Sequence, residues 1–203
     1  MNSVLSMLGQ YFLLLITAIT VENAVLSRAL GVSRLISLMD DTTDTLVFSI
    51  LLTLTTTLSG VGYFFVYTKL IHNHNYEIYL RTAAIIVCMS VAFMFVFVLA
   101  VKLMPYDLVG KAAEAMPGAT FNCMVFGTVV LSISSSLNIW ETIVFSIGSS
   151  IGFMIAVLLV TEGQRKLQNR DIPAAFKGLP ATLLYLAGLA VAVYGLTGYT
   201  FSL

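Results

Sequence analysis

Apolar residues are grouped along this 203-residue chain into six long runs, which short polar stretches separate. An α-helix needs about 20 consecutive, mostly apolar residues to cross the hydrocarbon core of a bilayer, and each run is long enough. The pattern therefore predicts an all-α integral membrane protein with six transmembrane helices and no separate soluble domain. The runs cover approximately residues 4–32, 44–69, 79–103, 106–134, 138–161 and 178–201.

Two of these runs, the first and the fourth, are interrupted near their middle. Glu22-Asn23 divides the first run, and Pro117-Gly118, followed closely by Asn122-Cys123, divides the fourth. Within a bilayer the backbone leaves its helix only where protein or a water-lined cavity satisfies the freed N–H and C=O groups. Paired broken helices in corresponding halves of a chain indicate a transport or cofactor site near the midplane. We therefore expect the first and fourth helices to be broken around a functional site.

The two halves of the chain also contain a weak internal echo. Asn23-Ala24-Val25 is followed ninety-nine positions later by Asn122-Cys123-Met124-Val125. With three spans in each half, a duplicated unit would be inserted in opposite orientations, as in inverted-repeat transporters. The prediction is one membrane domain over residues 1–203, made of two inverted three-helix repeats at approximately 1–103 and 104–203.

Composition and charge fit the same setting. Hydrophobic residues make up 59% of the chain and charged residues only 10%, whereas a soluble domain carries about 25% charged residues. The mean hydropathy is +0.97. Because the formal net charge is zero and the sequence has no basic cluster, we expect the lipid bilayer rather than nucleic acid as its surroundings.

Most Lys and Arg residues fall on one side of the predicted helices. Connections enriched in these residues are normally cytoplasmic. The distribution predicts a multi-pass protein of a bacterial or archaeal cytoplasmic membrane, with both termini outside. Eight of the ten lie at the first, third and fifth connections, namely Arg28, Arg34, Lys102, Lys111, Arg165, Lys166, Arg170 and Lys177, and the other two are Lys69 and Arg81.

Polar residues in the broken segments are the candidates for an ion path. Glu22, Asn23 and Asn122 could line such a path together with the half-helix ends. The alternative for Glu22 is that its carboxylate accepts N–H groups freed at the break.

Structural roles are favoured for the remaining conspicuous residues. Cys88 is expected to be a small buried hydrophobe, and Gly148–Gly152 a face of small residues for close helix packing. His72 and His74 could hold a metal, but a solvated loop is favoured. The basic stretch Gln164–Lys177 is interpreted as a cytoplasmic anchor, with a docking surface as the alternative. No motif for flavin or nucleotide binding is present.

Several motifs, and their order along the chain, resemble those of one family of membrane proteins. The chain is similar, over nearly its whole length, to the six-span subunits of the Rnf and Na⁺-pumping NADH:quinone oxidoreductase (Nqr) complexes. The likeness is closer to the RnfA/NqrE type than to its sister type, RnfE/NqrD. The motifs are V-E-N-A-V-L-S-R-A-L-G at 21–31, F-N-C-M-V-F-G at 121–127, F-S-I-G-S-S-I-G-F at 145–153, D-I-P-A-A-F-K-G at 171–178 and A-G-L-A at 187–190.

The resemblance implies a component of a redox-driven ion translocase. In that family two sister subunits meet across their broken helices and hold an intramembrane [2Fe–2S] cluster, to which each gives two cysteine thiolates. The cluster passes electrons between flavin and iron–sulfur subunits on opposite sides of the membrane, and the complex couples this transfer to Na⁺ or H⁺ movement. By this resemblance Cys123 is one of the cluster ligands.

The second ligand position departs from the family pattern. The family has L-G-x-C after the first broken segment, whereas this chain has Leu30-Gly31-Val32-Ser33. A serine hydroxyl is a poorer iron ligand than a thiolate because it is a harder donor and is harder to ionise. Either the cluster is bound with weakened ligation, or the chain is a cluster-free structural paralogue. A stand-alone secondary transporter with inverted repeats is the alternative from a different functional class.

Overall fold

A computed structural model describes residues 2–37, 42–71, 77–103, 105–167, 173 and 176–196. All regular secondary structure in these ranges is helical. A π-helical turn, Tyr67–Ile71, continues the third helix. The α-helices are α1 Asn2–Ile19, α2 Val32–Ser37, α3 Thr42–Val66, α4 Glu77–Leu103, α5 Tyr106–Thr120, α6 Cys123–Ser134, α7 Ile139–Leu167 and α8 Leu179–Leu196.

Three of these helices, α3, α4 and α7, are long and apolar enough to cross a membrane. The pair α5 and α6 is apolar enough when taken together, and is bent by 48° at a short break. Helices α1 and α8 are apolar but shorter. The prediction of an all-helical membrane protein is therefore confirmed, with three spans, or four including the bent pair, among the described residues. The arrangement of six spans in two inverted repeats stays a prediction.

Helices α3 and α7 form the centre of the molecule. Helix α3 packs against α4, α5, α6 and α7, and α7 packs also against α1 and α8. Phe48 of α3 and Phe153 of α7 are fully buried, and their ring centroids lie 5.9 Å apart. The buried hydroxyls of Thr55 and Thr56 donate to carbonyls one turn earlier in α3. Since these polar atoms are satisfied within the helix, their side chains can pack in apolar surroundings.

Two glycines of α7 allow α1 to lie directly against it. A Cβ atom at Gly148 would be 2.8 Å from the Cβ of Ala18. A Cβ at Gly152 would be 3.1 Å from the carbonyl oxygen of Ile19. The prediction that this small-residue face serves helix packing is confirmed, and its partner is α1.

The first break is longer than the dipeptide Glu22-Asn23 that marks it in the sequence. Helix α1 ends at Ile19, and residues 20–31 form turns before the short helix α2 begins. Ala29 and Gly31 have positive φ angles of 54° and 81°, which a right-handed helix does not accommodate. The apolar run over residues 4–32 predicts that the helix resumes after the break, but residues 20–31 form turns instead.

The second break lies after the predicted position. Pro117 and Gly118 are inside α5, and the carbonyl of Pro117 accepts the N–H of Phe121 at 2.9 Å. The chain leaves the helical region only at Phe121 (φ −85°, ψ 58°) and Asn122 (φ −114°, ψ 139°). The proline removes one backbone donor but does not end the helix here. The interruption of the fourth predicted helix is confirmed, and its position is corrected to Phe121-Asn122.

Of the other predictions, one concerns a described residue and the rest concern residues outside the described ranges. Cys88 of α4 is buried in the hydrophobic core, as expected. His72 and His74 lie outside the described residues, as do residues 168–172 of the basic connection after α7.

Candidate functional site

A cavity of about 400 Å³ lies between the two broken segments. One wall comes from the end of the 20–31 loop and from α2, and the other from α5, α6 and the break that joins them. Ser33 and Cys123, the two candidate metal ligands, therefore line the same cavity. Its lining residues are Gly31, Ser33, Arg34, Ser37, Gly118, Phe121, Asn122 and Cys123.

Cys123 is the first residue of α6. Its Sγ accepts a hydrogen bond from the backbone N–H of Gly31 at 3.0 Å, so the thiol joins the two breaks directly. The side chain is nevertheless exposed at the surface of the chain.

Asn122 caps the helix that Cys123 begins. Its Oδ1 accepts the backbone N–H of Met124 at 3.2 Å and lies 3.6 Å from the Sγ of Cys123. The residue is only 7% exposed, and its Nδ2 has no hydrogen-bond partner within the described part of the chain. This amide nitrogen is therefore a buried donor without an acceptor among the described residues.

Gly31 is required at its position for two reasons. Its φ of 81° favours glycine, and its α-carbon is closely surrounded. A Cβ there would lie 3.0 Å from Cε2 of Phe153, 3.2 Å from Cβ of Met124 and 3.3 Å from Oδ1 of Asn122. The close approach brings the Gly31 N–H to the sulfur of Cys123.

Arg34 also lines the cavity, a position that sequence reasoning missed, since the sequence pattern assigns it only to the basic residues that set orientation. Its guanidinium lies 5.3 Å from the ring centroid of Phe48 and packs on the bare α-carbon of Gly118. A Cβ at Gly118 would be only 2.6 Å from Cζ of Arg34. The Nε is buried and has no hydrogen-bond partner among the described residues. The available signal was an arginine directly after Ser33, the second candidate ligand position.

Asn23 and Glu22 stand apart from this cavity. The Oδ1 of Asn23 accepts the N–H groups of Val25 and Leu26 at 3.0 and 3.1 Å. Its Nδ2 donates to the carbonyls of Ile19 and Gly152 at 2.9 and 3.0 Å. Asn23 therefore organises the first break and fixes it to α7.

Glu22 instead forms an ion pair with Arg28, at 3.7 Å. Both side chains are partly exposed, so the pair adds little to stability. Neither Glu22 nor Arg28 lines the cavity of Cys123. An ion path through Glu22, Asn23 and Asn122 stays a prediction; of these residues, Asn122 lines the cavity of Cys123.

The cavity offers one thiol, one hydroxyl and several N–H donors. No group of three or more His, Cys, Asp and Glu side chains able to hold a metal ion occurs in the ranges that the structure describes. Ser33 and Cys123 are both exposed.

The fold and site define an all-helical membrane protein whose two breaks bring a cysteine and a serine to a common surface cavity. Residues 11–200 match the family described as Rnf-Nqr subunit, membrane protein. The chain belongs to this family, and the resemblance inferred from its motifs is confirmed.

Relatives with a more specific name cover nearly the same region. The chain is 28% identical over 191 residues to the A subunit of the ion-translocating oxidoreductase complex of Vibrio cholerae, which is 93% of this chain and 97% of the relative. Proteins of the same name from Vibrio vulnificus and Aliivibrio fischeri are 27% identical over the same shares.

Proposed function

We propose that this chain is the A-type membrane subunit of an ion-translocating oxidoreductase complex and carries half of an intramembrane [2Fe–2S] site. A sister subunit of the RnfE/NqrD type would complete the site. The single observation that carries the proposal is the common cavity of Cys123 and Ser33, two positions that lie far apart in sequence. The names of the relatives support the same assignment.

The residues at the cavity fit such a group. Cys123 supplies a thiolate whose sulfur already accepts a backbone N–H, and Ser33 supplies an oxygen in place of the usual second sulfur. Asn122 also lines the cavity, and its buried Nδ2 has no acceptor among the described residues. When bound, the cluster would supply one-electron transfer. Its ligation would be weaker than that of four thiolates because oxygen is the harder donor.

The chain's own residues would hold this site in three ways. Gly31 gives its N–H to the Cys123 sulfur. Asn122 fixes the start of α6 and so the direction of the thiol. Phe121 is 55% exposed beside the cavity and would exclude water once a sister subunit covers it.

The wider architecture follows from the same proposal. The chain would form six spans in two inverted repeats, with both termini outside, and its site would face the sister subunit in the plane of the membrane. Asn23 and Asn122 support the repeat, because each follows a helix break and accepts a backbone N–H two residues ahead. Flavin and iron–sulfur subunits would exchange electrons through the site, coupled to Na⁺ or H⁺ movement, while this chain binds no flavin or nucleotide.

The decisive experiment is to express the chain with its sister subunit, then to measure iron per copy and the electron paramagnetic resonance of the reduced complex. We expect a cluster signal in the wild type and its loss in Cys123→Ala. The matched control is Cys88→Ala, which removes the other thiol of the chain from a buried position on α4 and should leave the signal. Ser33→Cys should slow the loss of iron to a chelator, because a softer ligand completes the set.

Each alternative has its own outcome in this experiment. A signal in Ser33→Cys that the wild type lacks would make the natural chain a cluster-free paralogue. Wild-type iron and signal in Cys123→Ala would show that this thiol is not a ligand. A monodisperse preparation of the chain alone that transports ions would favour the stand-alone secondary transporter.

A further inference from the structure

The side chain of Arg34 places a positive charge at the cavity wall. Its guanidinium lies over the ring of Phe48, its Nε has no hydrogen-bond partner in the described ranges, and it lines the same cavity as Ser33 and Cys123. A buried guanidinium nitrogen without a hydrogen-bond partner is costly and points to a functional role.

A second donor at the same cavity is also unpartnered. Asn122 is 93% buried, as its exposed fraction of 7% implies, and its Nδ2 donates to no atom within the described part of the chain. Both groups are N–H donors of residues that line the cavity of Cys123. The wall of the cavity therefore carries one positive charge and two buried N–H donors that have no acceptor among the described residues.

We propose that Arg34 is the counter-charge of the [2Fe–2S] site and raises its reduction potential. This inference rests on the proposed function above. Each reduction adds one electron, which a redox centre of a partner subunit gives up, and makes the cluster more negative by one unit. A fixed guanidinium favours the more negative state, and its effect is large where little water screens it. Oxygen ligation by Ser33 lowers the reduction potential. The positive charge of the adjacent Arg34 therefore offsets the effect of having oxygen in place of sulfur as a ligand.

Position, as well as charge, can be tested because Gly118 supports the guanidinium. Gly118→Ala places a Cβ 2.6 Å from Cζ of Arg34, and the flexible end of the arginine must move away. The variant therefore displaces the charge without removing it. Gly110→Ala is the matched control, because Gly110 lies on the same helix α5 and an added Cβ there would meet no described atom within 4 Å.

The experiment is a redox titration of the chain co-purified with its sister subunit, followed by electron paramagnetic resonance, with iron per copy measured on each sample. At a fixed ambient potential we expect Arg34→Gln to lower the reduced-to-oxidised ratio about tenfold, which is about 59 mV for a one-electron couple. Gly118→Ala should shift the potential in the same direction by less. Arg34→Lys should restore most of the wild-type potential. Gly110→Ala and Arg28→Gln, which changes a cation outside the cavity, should leave it unchanged.

The outcomes separate this inference from the proposed function. Wild-type potentials in both Arg34→Gln and Gly118→Ala, with iron retained, would overturn the role of Arg34 and leave the cluster assignment standing. If Arg34→Gln loses iron and Arg34→Lys keeps it, the charge is needed for binding and the inference is supported. If Arg34→Gln and Arg34→Lys both lose iron while Gly118→Ala keeps the wild-type potential, Arg34 has only a packing role and the inference is wrong. A wild-type complex without iron would overturn the proposed function, and this inference with it.

Discussion

The backbone N–H of Gly31 donates to the Sγ of Cys123 at 3.0 Å, and this hydrogen bond joins the two broken segments of the chain. It depends on a glycine, because Gly31 has a positive φ and is enclosed by atoms of Asn122, Met124 and Phe153. The geometry of the thiol is therefore set by a loop from the other half of the sequence. A substitution in that loop should therefore alter the position of the Cys123 thiol, although it replaces no candidate ligand.

Gly31→Ala should be one of the most damaging single-methyl changes in this chain. The added Cβ combines backbone strain of about 1–2 kcal/mol with close contacts that cost about 1–3 kcal/mol, and it moves the N–H away from Cys123. Gly178→Ala is the control, since Gly178 has a φ of 82° but no described atom within 4 Å of a Cβ. Thermal unfolding of the detergent-solubilised complex should show the larger loss for Gly31→Ala, together with loss of iron. Equal losses in the two variants would contradict the role of the enclosure.

Asn23 and Asn122 should differ in their contribution to stability, although both follow a helix break. Asn23→Ala leaves two N–H groups and two carbonyls without their partner, and we expect a loss of about 2–3 kcal/mol. Asn122→Ala removes one capping bond to Met124, and should cost about 1 kcal/mol. Titration with sodium dodecyl sulfate, followed by the loss of helix circular dichroism, measures both. The reverse order would mean that Asn122 has partners in the assembled complex that are worth more than the bonds of Asn23.

Gly152→Ala should separate α1 from α7. The new Cβ would lie 2.8 Å from Nδ2 of Asn23 and 3.1 Å from the carbonyl oxygen of Ile19. The second of these atoms is backbone and cannot move aside, so the expected cost is about 1–3 kcal/mol. Gly188→Ala on α8, where no described atom lies within 4 Å, should be neutral or slightly stabilising because alanine is the better helix former. Melting temperatures of the two variants, measured in one detergent, check the difference.

Much of this arrangement is predictable from local sequence signals. Long apolar runs predict helices, and small residues at Gly148 and Gly152 predict a close helix contact. These features depend on neighbours in the sequence or on simple periodicity. The interruption of the fourth predicted helix is predictable for the same reason.

Features that depend on tertiary contacts are not predictable in this way. The sequence predicts an interruption at Pro117-Gly118, followed closely by Asn122-Cys123, yet α5 continues through Pro117 to Thr120 and the break falls only at Phe121-Asn122. Helix α1 does not resume after Asn23, because positive φ angles at Ala29 and Gly31 turn the chain toward Cys123. The place of Arg34 at the cavity depends on Phe48 and Gly118, which are distant in sequence, so its charge alone indicates only the orientation of the chain.

The orientation of the chain can be tested at two described positions that leave every basic residue in place. Ser135→Cys lies in the connection between α6 and α7, and Phe176→Cys lies just before α8; both side chains are exposed. Because eight of the ten Lys and Arg residues lie at the odd connections, those connections should be cytoplasmic. A membrane-impermeant maleimide should therefore label Ser135→Cys in intact cells, and Phe176→Cys only after the membrane is opened. The parent chain, with its own Cys88 and Cys123, sets the background. Labelling of Phe176→Cys in intact cells, with Ser135→Cys protected, would place both termini in the cytoplasm and overturn the predicted orientation.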